Sequence, residues 1–346
     1  EVITAGHPKP DQRGVDAVRK MYGMKDSYRI NEKDFIICLI SGGGSALMPM
    51  PAKGLTLEEK QEVTSLLLEC GADIHEINTV RKHLSGVKGG RLSEHFQPAT
   101  VISIIISDVV GDDLDVIASG PTVPDKTTAK DALTVLDKYS LQGRVPAAVI
   151  SYLDNIVSNH NDDMVKATET PSSRFNFLIG TNRVALAAMS KKATGLGYKA
   201  VILTGSLTGE TNDAAKWLAP SDAPGEDVPD AFILGGETTP VIQEDHGVGG
   251  RNQQFAVVFM DEMERAKVPG TWVLASVGTD GSDYLPDVAG AIVDDSSFKH
   301  AGELGLDLAG AIRMHDSNSF FKALGGALVE TGPTGTNVGD VIVFLR

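Results

Sequence analysis

The segment with the clearest chemical potential is a glycine- and serine-rich turn. Residues 35–40 are apolar and read as a buried strand, and Ser41, Gly42, Gly43, Gly44 and Ser45 follow them directly. Glycines let a backbone turn tightly and bring its N–H groups close to a ligand. Two hydroxyls and the positive end of a following helix would add to this. The pattern indicates a cradle for phosphate or carboxylate, with a ligand-free strand-to-helix turn as the alternative.

A basic segment follows in a chain that is otherwise acidic. Residues 78–91 contain four fixed positive charges and no acid, and Ser85 and Gly89-Gly90 lie among them as in a ligand loop. Such a cluster favours binding of phosphate or carboxylate, whereas the alternative is a solvated helix face. The candidate binding residues of this segment are Asn78, Arg81, Lys82 and Lys88.

Three aspartates, Asp108, Asp112 and Asp113, come soon after the β-branched run 100–107. Ligands of open parallel sheets gather at the carboxyl ends of strands. Carboxylates at that place could hold Mg²⁺ or accept a proton from a hydroxyl. Capping of the next helix is the alternative for some of them. We expect at least one of the three to take part in chemistry, with Asp108 and Asp113 as the metal candidates.

Four polar loops in the last third of the chain indicate one shared site, although each alone could be only a turn. Arg251 is the sharpest candidate, because a guanidinium can neutralise the charge on a phosphoryl group in transfer. A surface salt bridge is its alternative. His7, fixed between Gly6 and Pro8, could contact a ligand, but a lone histidine is more often structural. The other candidates in the four loops are Glu237, Asn252, Asp280, Thr336 and Asn337.

Composition limits the class of protein. The chain has 346 residues, enough for two domains, with 42% hydrophobic and 22% charged residues. A net charge of −15 argues against nucleic acid and anionic membranes as partners. The two cysteines, Cys38 and Cys70, read as core residues, and no signal peptide or membrane-length apolar run is present. A cytoplasmic protein is expected.

Helical and strand patterns alternate along the chain, which predicts an α/β protein with mainly parallel sheets. The acidic, proline-rich segment 219–229 reads as a linker between two domains, or else as a long surface loop of one domain. Strands are predicted at 35–40, 100–107, 175–179, 199–204, 231–234, 272–276 and 338–345, and helices at 14–24, 56–70, 130–139, 182–196 and 254–266.

Common nucleotide-binding signatures are missing from the sequence. It has no phosphate-binding loop ending in Gly-Lys-Ser/Thr, and the dinucleotide-like sequence at 195–200 follows a helix instead of a strand. An NAD(P)H-dependent hydroxypyruvate reductase, one alternative function, therefore lacks a nicotinamide fingerprint. A second alternative is a non-catalytic protein that binds a sugar acid or a nucleotide.

Taken together, the motifs resemble the class II glycerate kinases, the glycerate 2-kinases with a C-terminal MOFRL domain. The resemblance runs from residue 6 to the end of the chain, with the motifs in the same order. It rests on GHPKPD (6–11), SGGGSAL (41–47), EINTVRKHLSGVKGGRL (76–92), SDVVGDDLDVIASGPTVPD (107–125), GGETT (235–239), GGRNQ (249–253), GTDG (278–281) and TGPTGTN (331–337).

The resemblance implies phosphorylation of D-glycerate to 2-phosphoglycerate by ATP and Mg²⁺. It implies an α/β fold of two domains, a Rossmann-like three-layer domain with a mainly parallel sheet (1–218) and a MOFRL α/β domain (230–346), with the active site in the cleft between them. The essential arginine of the family falls on Arg251. Asp108 and Asp112 are the other catalytic candidates, since Asp108, Asp112 or Asp113 would position Mg²⁺ or take the proton from the C2 hydroxyl. A homodimer is an assembly to be tested.

The sequence also departs from the family pattern. The family's essential lysine, in a motif upstream of GHP, has no counterpart here, so we expect an upstream segment to be missing. The sequence SDYLPD (282–287) replaces a more glycine-rich stretch, and the segment between Gly209 and Ala231 is short for the family.

Overall fold

The chain forms two compact units. A computed structural model describes residues 1–159, 173–219 and 228–346. The first unit contains residues 1–106 and 112–179, and the second contains 107–111 and 180–346. The short segment that carries Asp108 thus belongs to the second unit, although it follows a strand of the first.

The division between the units lies earlier in the chain than the linker predicted from the sequence. Residues 180–218, which the sequence analysis assigns to the N-terminal domain, make their contacts within the second unit. Most of the predicted linker, 219–229, lies outside the described residues. The domain limits 1–218 and 230–346 stay a prediction.

The first unit combines a small sheet with a group of helices. Its strands are β1 (Phe35–Ile40), β2 (Thr100–Ile106) and β3 (Arg174–Gly180). Its helices are α1 (Gln12–Ser27), α2 (Gly44–Leu47), α3 (Leu57–Glu69), α4 (Ile74–His83), α5 (Arg91–His95), α6 (Ala129–Lys138) and α7 (Ala147–Ser158), with a 3₁₀ turn at Ile117–Ser119.

The sheet of the first unit has the order β1-β2-β3, and β1 pairs with β2 in parallel, as predicted. The description of β1 as a buried strand was wrong for one face, since Phe35 is 68% exposed and Leu39 78%. The burial of β1 alternates along the strand because successive side chains point to opposite faces of the sheet, and one of these faces is exposed. The main core of the unit lies elsewhere, among α3, α4, α6 and α7, where Leu67 and Val80 are fully buried.

Two reciprocal caps fix the helices that carry the basic residues. The hydroxyl of Thr56 accepts the N–H of Glu59, whose carboxylate accepts the N–H of Thr56, so α3 begins where the sequence predicts. The same exchange between Asp73 and Glu76 starts α4. The caps set the first residue of each helix and therefore which side chains lie on which face.

The second unit is built on a six-stranded sheet. Its strands are β4 (Ala200–Leu207), β5 (Ala231–Gly236), β6 (Val273–Gly278), β7 (Gly290–Asp294), β8 (Leu328–Val329) and β9 (Asp340–Leu345). Its helices are α8 (Asn182–Gly195), α9 (Thr211–Leu218), α10 (Arg251–Ala266), α11 (Ser297–Glu303), α12 (Leu308–Arg313) and α13 (Ser317–Leu324).

The strand order of this sheet is β4-β5-β9-β6-β7-β8. Only β4 and β5 pair in parallel, whereas the other four pairs are antiparallel. The prediction of mainly parallel sheets was therefore wrong for this unit. The alternation of helices and strands could not reveal this, because the last strand of the chain enters the middle of the sheet.

Helix α10 forms the centre of the second unit and begins at Arg251, earlier than the predicted start at Gln254. The carboxylate of Asp283 accepts the backbone N–H groups of Asn252 and Gln253 at 3.0 and 2.9 Å. A capping residue that lies far along the chain leaves no local signal in the sequence. Phe259 on α10 packs edge-on against Trp272 and Phe344, which anchors the helix on the sheet.

The glycines that precede α10 are explained by packing. A Cβ atom at Gly250 would overlap the Asp283 carboxylate, and one at Gly249 would overlap the hydroxyl of Ser317. These positions let the loop lie against the capping residue. None of the helices in the described ranges has the length and apolarity needed to cross a bilayer.

We expect Asp283→Ala to lower the free energy of unfolding by about 2–4 kcal/mol, because it leaves buried N–H groups at the start of α10 without an acceptor. Asp287→Ala, in the same loop but exposed, is the matched control. Urea unfolding followed by circular dichroism measures both. Equal stabilities of the two variants would contradict the capping role.

Candidate active site

The loops predicted to share a site meet at one end of the central strands of the second sheet. Strands β5 and β6 end there and β9 begins there, because β9 runs antiparallel between them. Asp340 is the register partner of both Gly236 and Gly278. The loops that follow β5 and β6 and the loop that precedes β9 are therefore brought together.

Hydrogen bonds connect two of these loops directly. The hydroxyl of Thr334 donates to the carbonyl of Thr279 at 2.7 Å, and the N–H of Thr334 donates to the carbonyl of Asp280 at 3.2 Å. The predicted residues Thr336 and Asn337 lie in this loop, where the Asn337 side chain accepts the N–H of Gly339 at 3.0 Å. Both shape the loop that leads into β9.

Arg251 lies at the same end of these strands and is held by two carboxylates. Its Nε and Nη2 donate to the two oxygens of Asp340 at 2.5 and 3.0 Å, and its Nη1 lies 3.1 Å from Oε1 of Glu237. Burial lowers the pKa of Arg251, but the hydrogen bond and charge of Asp340 outweigh it and raise the pKa above its usual range. The side chain is 32% exposed, so this permanently charged group can still meet a ligand.

Glu237 lies in a group of acids. Burial raises the pKa of Glu237, Arg251 partly opposes this, and the negative charges of Asp340, Asp108 and Asp280 raise it further. Four residues predicted from separate motifs, Glu237, Arg251, Asp108 and Asp280, therefore interact electrostatically within this unit. Together these acids carry more negative charge than the single arginine can balance.

Asp340 was missed by the sequence analysis. Its signal was an aspartate near the start of the otherwise apolar run 338–345, where a charged side chain needs a partner. Its side chain is 6% exposed and pairs with Arg251. Asn182 was missed as well: its Nδ2 donates to the carbonyls of Val338 and Asp340 at 3.0 and 2.8 Å and so holds the start of β9.

The glycines of the GGETT motif make room for these supports. A Cβ atom at Gly235 would overlap the Asn182 side chain, and one at Gly236 would overlap the backbone of Leu207. Asn252 is a support too, since its amide bonds Asp283 at 3.2 Å and accepts the Ser276 hydroxyl at 2.7 Å while only 2% of the residue is exposed. Its amide holds the first turn of α10.

The SGGGS turn lies in the first unit and leads into α2, a helix of only four residues. Gly43 has a φ of 79°, which favours glycine, and a Cβ there would lie 3.2 Å from the His7 ring. His7 and the turn are thus neighbours, as a shared ligand role requires. Ser41 is exposed, and Gly42 is partly exposed. A helix this short adds little dipole, so the turn offers mainly N–H groups and hydroxyls.

A buried polar chain supports the turn from beneath. Lys88, 1% exposed, donates from Nζ to the carbonyl of Ser45 at 2.9 Å and lies 3.2 Å from its hydroxyl. The Ser45 hydroxyl is 2.5 Å from that of Ser119, which donates to Oδ1 of Asn78 at 3.0 Å. Burial, followed by the charges of Lys60 and Arg81, lowers the pKa of Lys88. Predicted residues from two motifs, Ser45, Asn78 and Lys88, therefore form one network.

Backbone strain marks the segment that supplies Ser119. Ala118 and Ser119 have φ values of 52° and 59°, in the left-handed region that residues with a Cβ seldom adopt. The carbonyl of Ala118 lies 3.3 Å from Nζ of Lys88. Such conformations persist only where surrounding contacts hold them, and they cluster at functional sites.

Lys82 takes a different position from the one expected for an anion ligand. Its Nζ is 2.7 Å from Asp115 and 3.5 Å from Asp125, and its side chain is 3% exposed. Neither aspartate was singled out in the sequence, although both lie in the motif 107–125. Arg81, one residue earlier on α4, is instead partly exposed, and burial lowers the pKa of its guanidinium.

The three predicted aspartates do not share one environment. Asp108 belongs to the second unit, whereas Asp112 and Asp113 belong to the first. The carbonyl of Asp113 accepts the N–H groups of Val116 and Ile117 at 3.0 and 3.1 Å and so starts the 3₁₀ turn. Across the described ranges, no group of three or more His, Cys, Asp or Glu side chains is arranged to hold a metal ion.

Comparison with known proteins agrees with this architecture. The family described as a domain of unknown function, DUF4147, matches residues 1–154, and the MOFRL family matches residues 230–340. The glycerate 2-kinase of Pyrococcus horikoshii is 39% identical over 100% of this chain and 78% of its own length. The D-glycerate 2-kinase of Thermotoga maritima is 41% identical over 100% of this chain and 80% of its own length.

A solved structure gives the same result. The crystal structure of the glycerate kinase of Thermotoga maritima superposes with a TM-score of 0.87 at 40% identity, covering 99% of this chain and 79% of the other. The fold and the similarity define a two-domain α/β protein of a kinase lineage. The chain belongs to the class II glycerate kinases, which carry a C-terminal MOFRL domain.

We expect Arg251→Met to make stability more dependent on pH. Without the guanidinium, the pKa of Glu237 in the folded state should rise further. Between this raised pKa and about pH 4.3, the ordinary pKa of a glutamate, the folded state then holds a proton that the unfolded state has lost. The stability lost in the variant should therefore be partly regained as the pH falls from 7 towards 5.

Denaturant unfolding at both pH values measures this difference. Arg265→Met removes an exposed arginine from the same helix and is the control, since its pairs with Asp261 and Glu262 lie on the surface. The electrostatic account is refuted if the stability deficit of Arg251→Met is the same at pH 5 and pH 7.

Proposed function

We propose that this protein transfers the γ-phosphoryl group of ATP to the 2-hydroxyl of D-glycerate, giving 2-phosphoglycerate. The observation that carries the proposal is the similarity of the whole chain to D-glycerate 2-kinases. The solved relative named glycerate kinase has the same fold over 99% of this chain. ATP is then the co-substrate, and the ligands are small molecules.

Arg251 is proposed to stabilise charge on the transferring phosphoryl group. Asp340 engages Nε and Nη2, which leaves further N–H groups on the terminal nitrogens to meet phosphoryl oxygens. Because the guanidinium is already oriented, little ordering is needed when the ligand binds. Phosphoryl transfer depends mainly on such positioning and charge stabilisation.

Asp108 is the proposed base for the 2-hydroxyl of glycerate, with Asp112 as the other candidate. Asp108 is favoured because its charge acts on Glu237, the neighbour of Arg251, within the second unit. A base must lie within reach of the proton that it accepts, and Arg251 is the residue of this unit that is proposed to stabilise the transferring phosphoryl group. Asp112 belongs to the first unit, and its backbone is in the left-handed region with a φ of 58°.

The proposal includes Mg²⁺, held by Asp108 together with the phosphates of ATP. Mg²⁺ commonly uses one or two carboxylates plus substrate phosphates, so a cage of protein ligands is not required. Asp340, Asp108 and Asp280 all lie close enough to act on the carboxylate of Glu237, and such a group of acids fits a divalent cation. When bound, the ion would neutralise phosphate charge. Asp113, the other metal candidate from the sequence, is exposed in the first unit.

The first unit is proposed to bind anionic groups through the SGGGS turn, which Lys88 supports from the protein interior. The network from Lys88 through Ser45 and Ser119 to Asn78 would hold the turn in one shape, so that its N–H groups need not be ordered on binding. His7 beside Gly43 would close one side of the ligand site.

A cytoplasmic location and a homodimer complete the proposal, and light scattering would test the dimer.

We expect Arg251→Ala to retain the fold and to lower the turnover of D-glycerate with ATP by about a thousandfold or more, as for arginines that stabilise a phosphoryl transition state. A coupled assay of ADP release measures the rate, and circular dichroism checks the fold. Arg265→Ala serves as the control. Near-normal turnover in Arg251→Ala would refute the role of this residue.

The proposed reaction itself needs a separate test. Wild-type protein with ATP, Mg²⁺ and D-glycerate should give 2-phosphoglycerate, identified by ³¹P NMR. Absorbance at the NADH band with hydroxypyruvate should stay constant. Consumption of NADH without formation of phosphoglycerate would replace the kinase by the reductase, and ligand binding without either reaction would favour a sensor.

A further inference from the structure

A cavity of about 480 Å³ lies in the first unit, and none of the residues proposed as a base or a metal ligand lines it. Helix α3, the loop 8–10, Pro49 and the partly exposed Arg81 of α4 line it. Ser45, at the end of the SGGGS turn, also reaches it. Its volume falls in the range of about 300–1,000 Å³ that is typical for ligands of cofactor size.

The charged lining of this cavity is entirely positive. It contains Lys9, Lys60 and Arg81 and no acidic side chain. Within the parts of the chain that the structure describes, no carboxylate lies within ion-pair distance of Lys60 or Arg81. Buried charges are costly unless they are paired, so this group of cations favours an anionic ligand.

Lys60 is the most informative of the three cations. The residue is 6% exposed, and its Nζ donates to the carbonyl of Pro49 at 3.1 Å. An ammonium has three N–H donors, so further donors remain for a ligand. Burial, together with the charges of Arg81 and Arg91, lowers the pKa of Lys60 well below its usual value.

The remaining lining is apolar or able to donate hydrogen bonds. Prolines and leucines, among them Pro8, Pro49 and Leu68, form the wall, and Thr64 and Ser65 add hydroxyls. Gln61 donates to the carbonyl of Pro10 at 2.7 Å, which ties the loop 8–10 to α3 and fixes the rim. The ligand should therefore combine a polyanionic part with a flat or apolar part.

We propose that this cavity binds the nucleotide, with the polyphosphate against Lys60, Arg81 and Lys9 and the base and ribose against the proline and leucine wall. D-Glycerate alone is too small and too polar to need this wall. The assignment rests on the proposed function in one respect, that ATP is the phosphoryl donor. Lys60, Lys9 and the donors of α3 are new site residues, since none of them was among the candidate residues of the sequence analysis.

One consequence separates this site from a passive cavity. An anion beside Lys60 favours the charged form of the lysine, so binding should raise its pKa and take up a proton. Nucleotide affinity should then increase as the pH falls towards neutrality. A lysine that serves only to bond Pro49 would show no such coupling.

The test is isothermal titration of the full chain with ADP, in buffers of different ionisation enthalpy. Wild type should bind ADP with net proton uptake. Lys60→Met, which fills the same space without charge, should bind at least tenfold more weakly and lose the uptake. Lys130→Met removes an exposed lysine of α6 in the same unit and should match wild type. Circular dichroism checks that each variant is folded.

Lys9→Met, on an exposed loop, is the second variant and should weaken ADP binding severalfold even if Lys60→Met does not fold. ADP binding within twofold of wild type in both folded variants would overturn the site. So would a loss confined to D-glycerate binding in a parallel titration.

The same experiment distinguishes the two proposals. If ADP binding depends on Lys60 but no phosphoglycerate forms, the site stands and the proposed function fails. If phosphoglycerate forms with an unchanged KM for ATP in both variants, the function stands and the site fails.

Discussion

The ion pair between Arg251 and Asp340 is the contact on which the arrangement of the second unit depends. Asp340 begins β9, which lies between β5 and β6, so the carboxylate stands where three loops meet. Its two hydrogen bonds fix the plane of the guanidinium, and Arg251 opens α10, the helix that forms the core of the unit. Core packing and the position of the Arg251 guanidinium are thus set by the same residues.

In the first unit, three lysines are almost entirely removed from water and make polar contacts with the protein. Lys88 bonds carbonyls and a hydroxyl, Lys82 pairs with the partly exposed Asp115 and the buried Asp125, and Lys60 bonds one carbonyl. Within the described ranges, Lys82 is the one of these three that has a carboxylate partner. Burial holds down the pKa values of Lys60 and Lys88. Electrostatic design therefore differs between the two units, one acidic around an arginine and one basic around a turn.

Sequence patterns predicted most of the elements and the family, because amphipathic periodicity and local caps such as Thr56 act over short distances. They failed where distant residues decide the outcome. Arg251 starts α10 because Asp283 caps the helix from another loop, and β9 enters the centre of its sheet because of its register with β5 and β6. For the same reason Asp340, Asn182 and Lys60 were not selected as site residues, while the glycines of two motifs proved to make room for neighbouring side chains and backbone.

The register of β9 has a consequence for how this family can vary. Side chains of a strand alternate between the two faces of a sheet, so a one-residue insertion between Asp340 and Val341 would turn the carboxylate away from the guanidinium. The strand would still pair with both neighbours, yet Arg251 would lose its two hydrogen bonds to Asp340. In evolution and in protein engineering alike, the first residue of the last strand is therefore a position whose register must be kept.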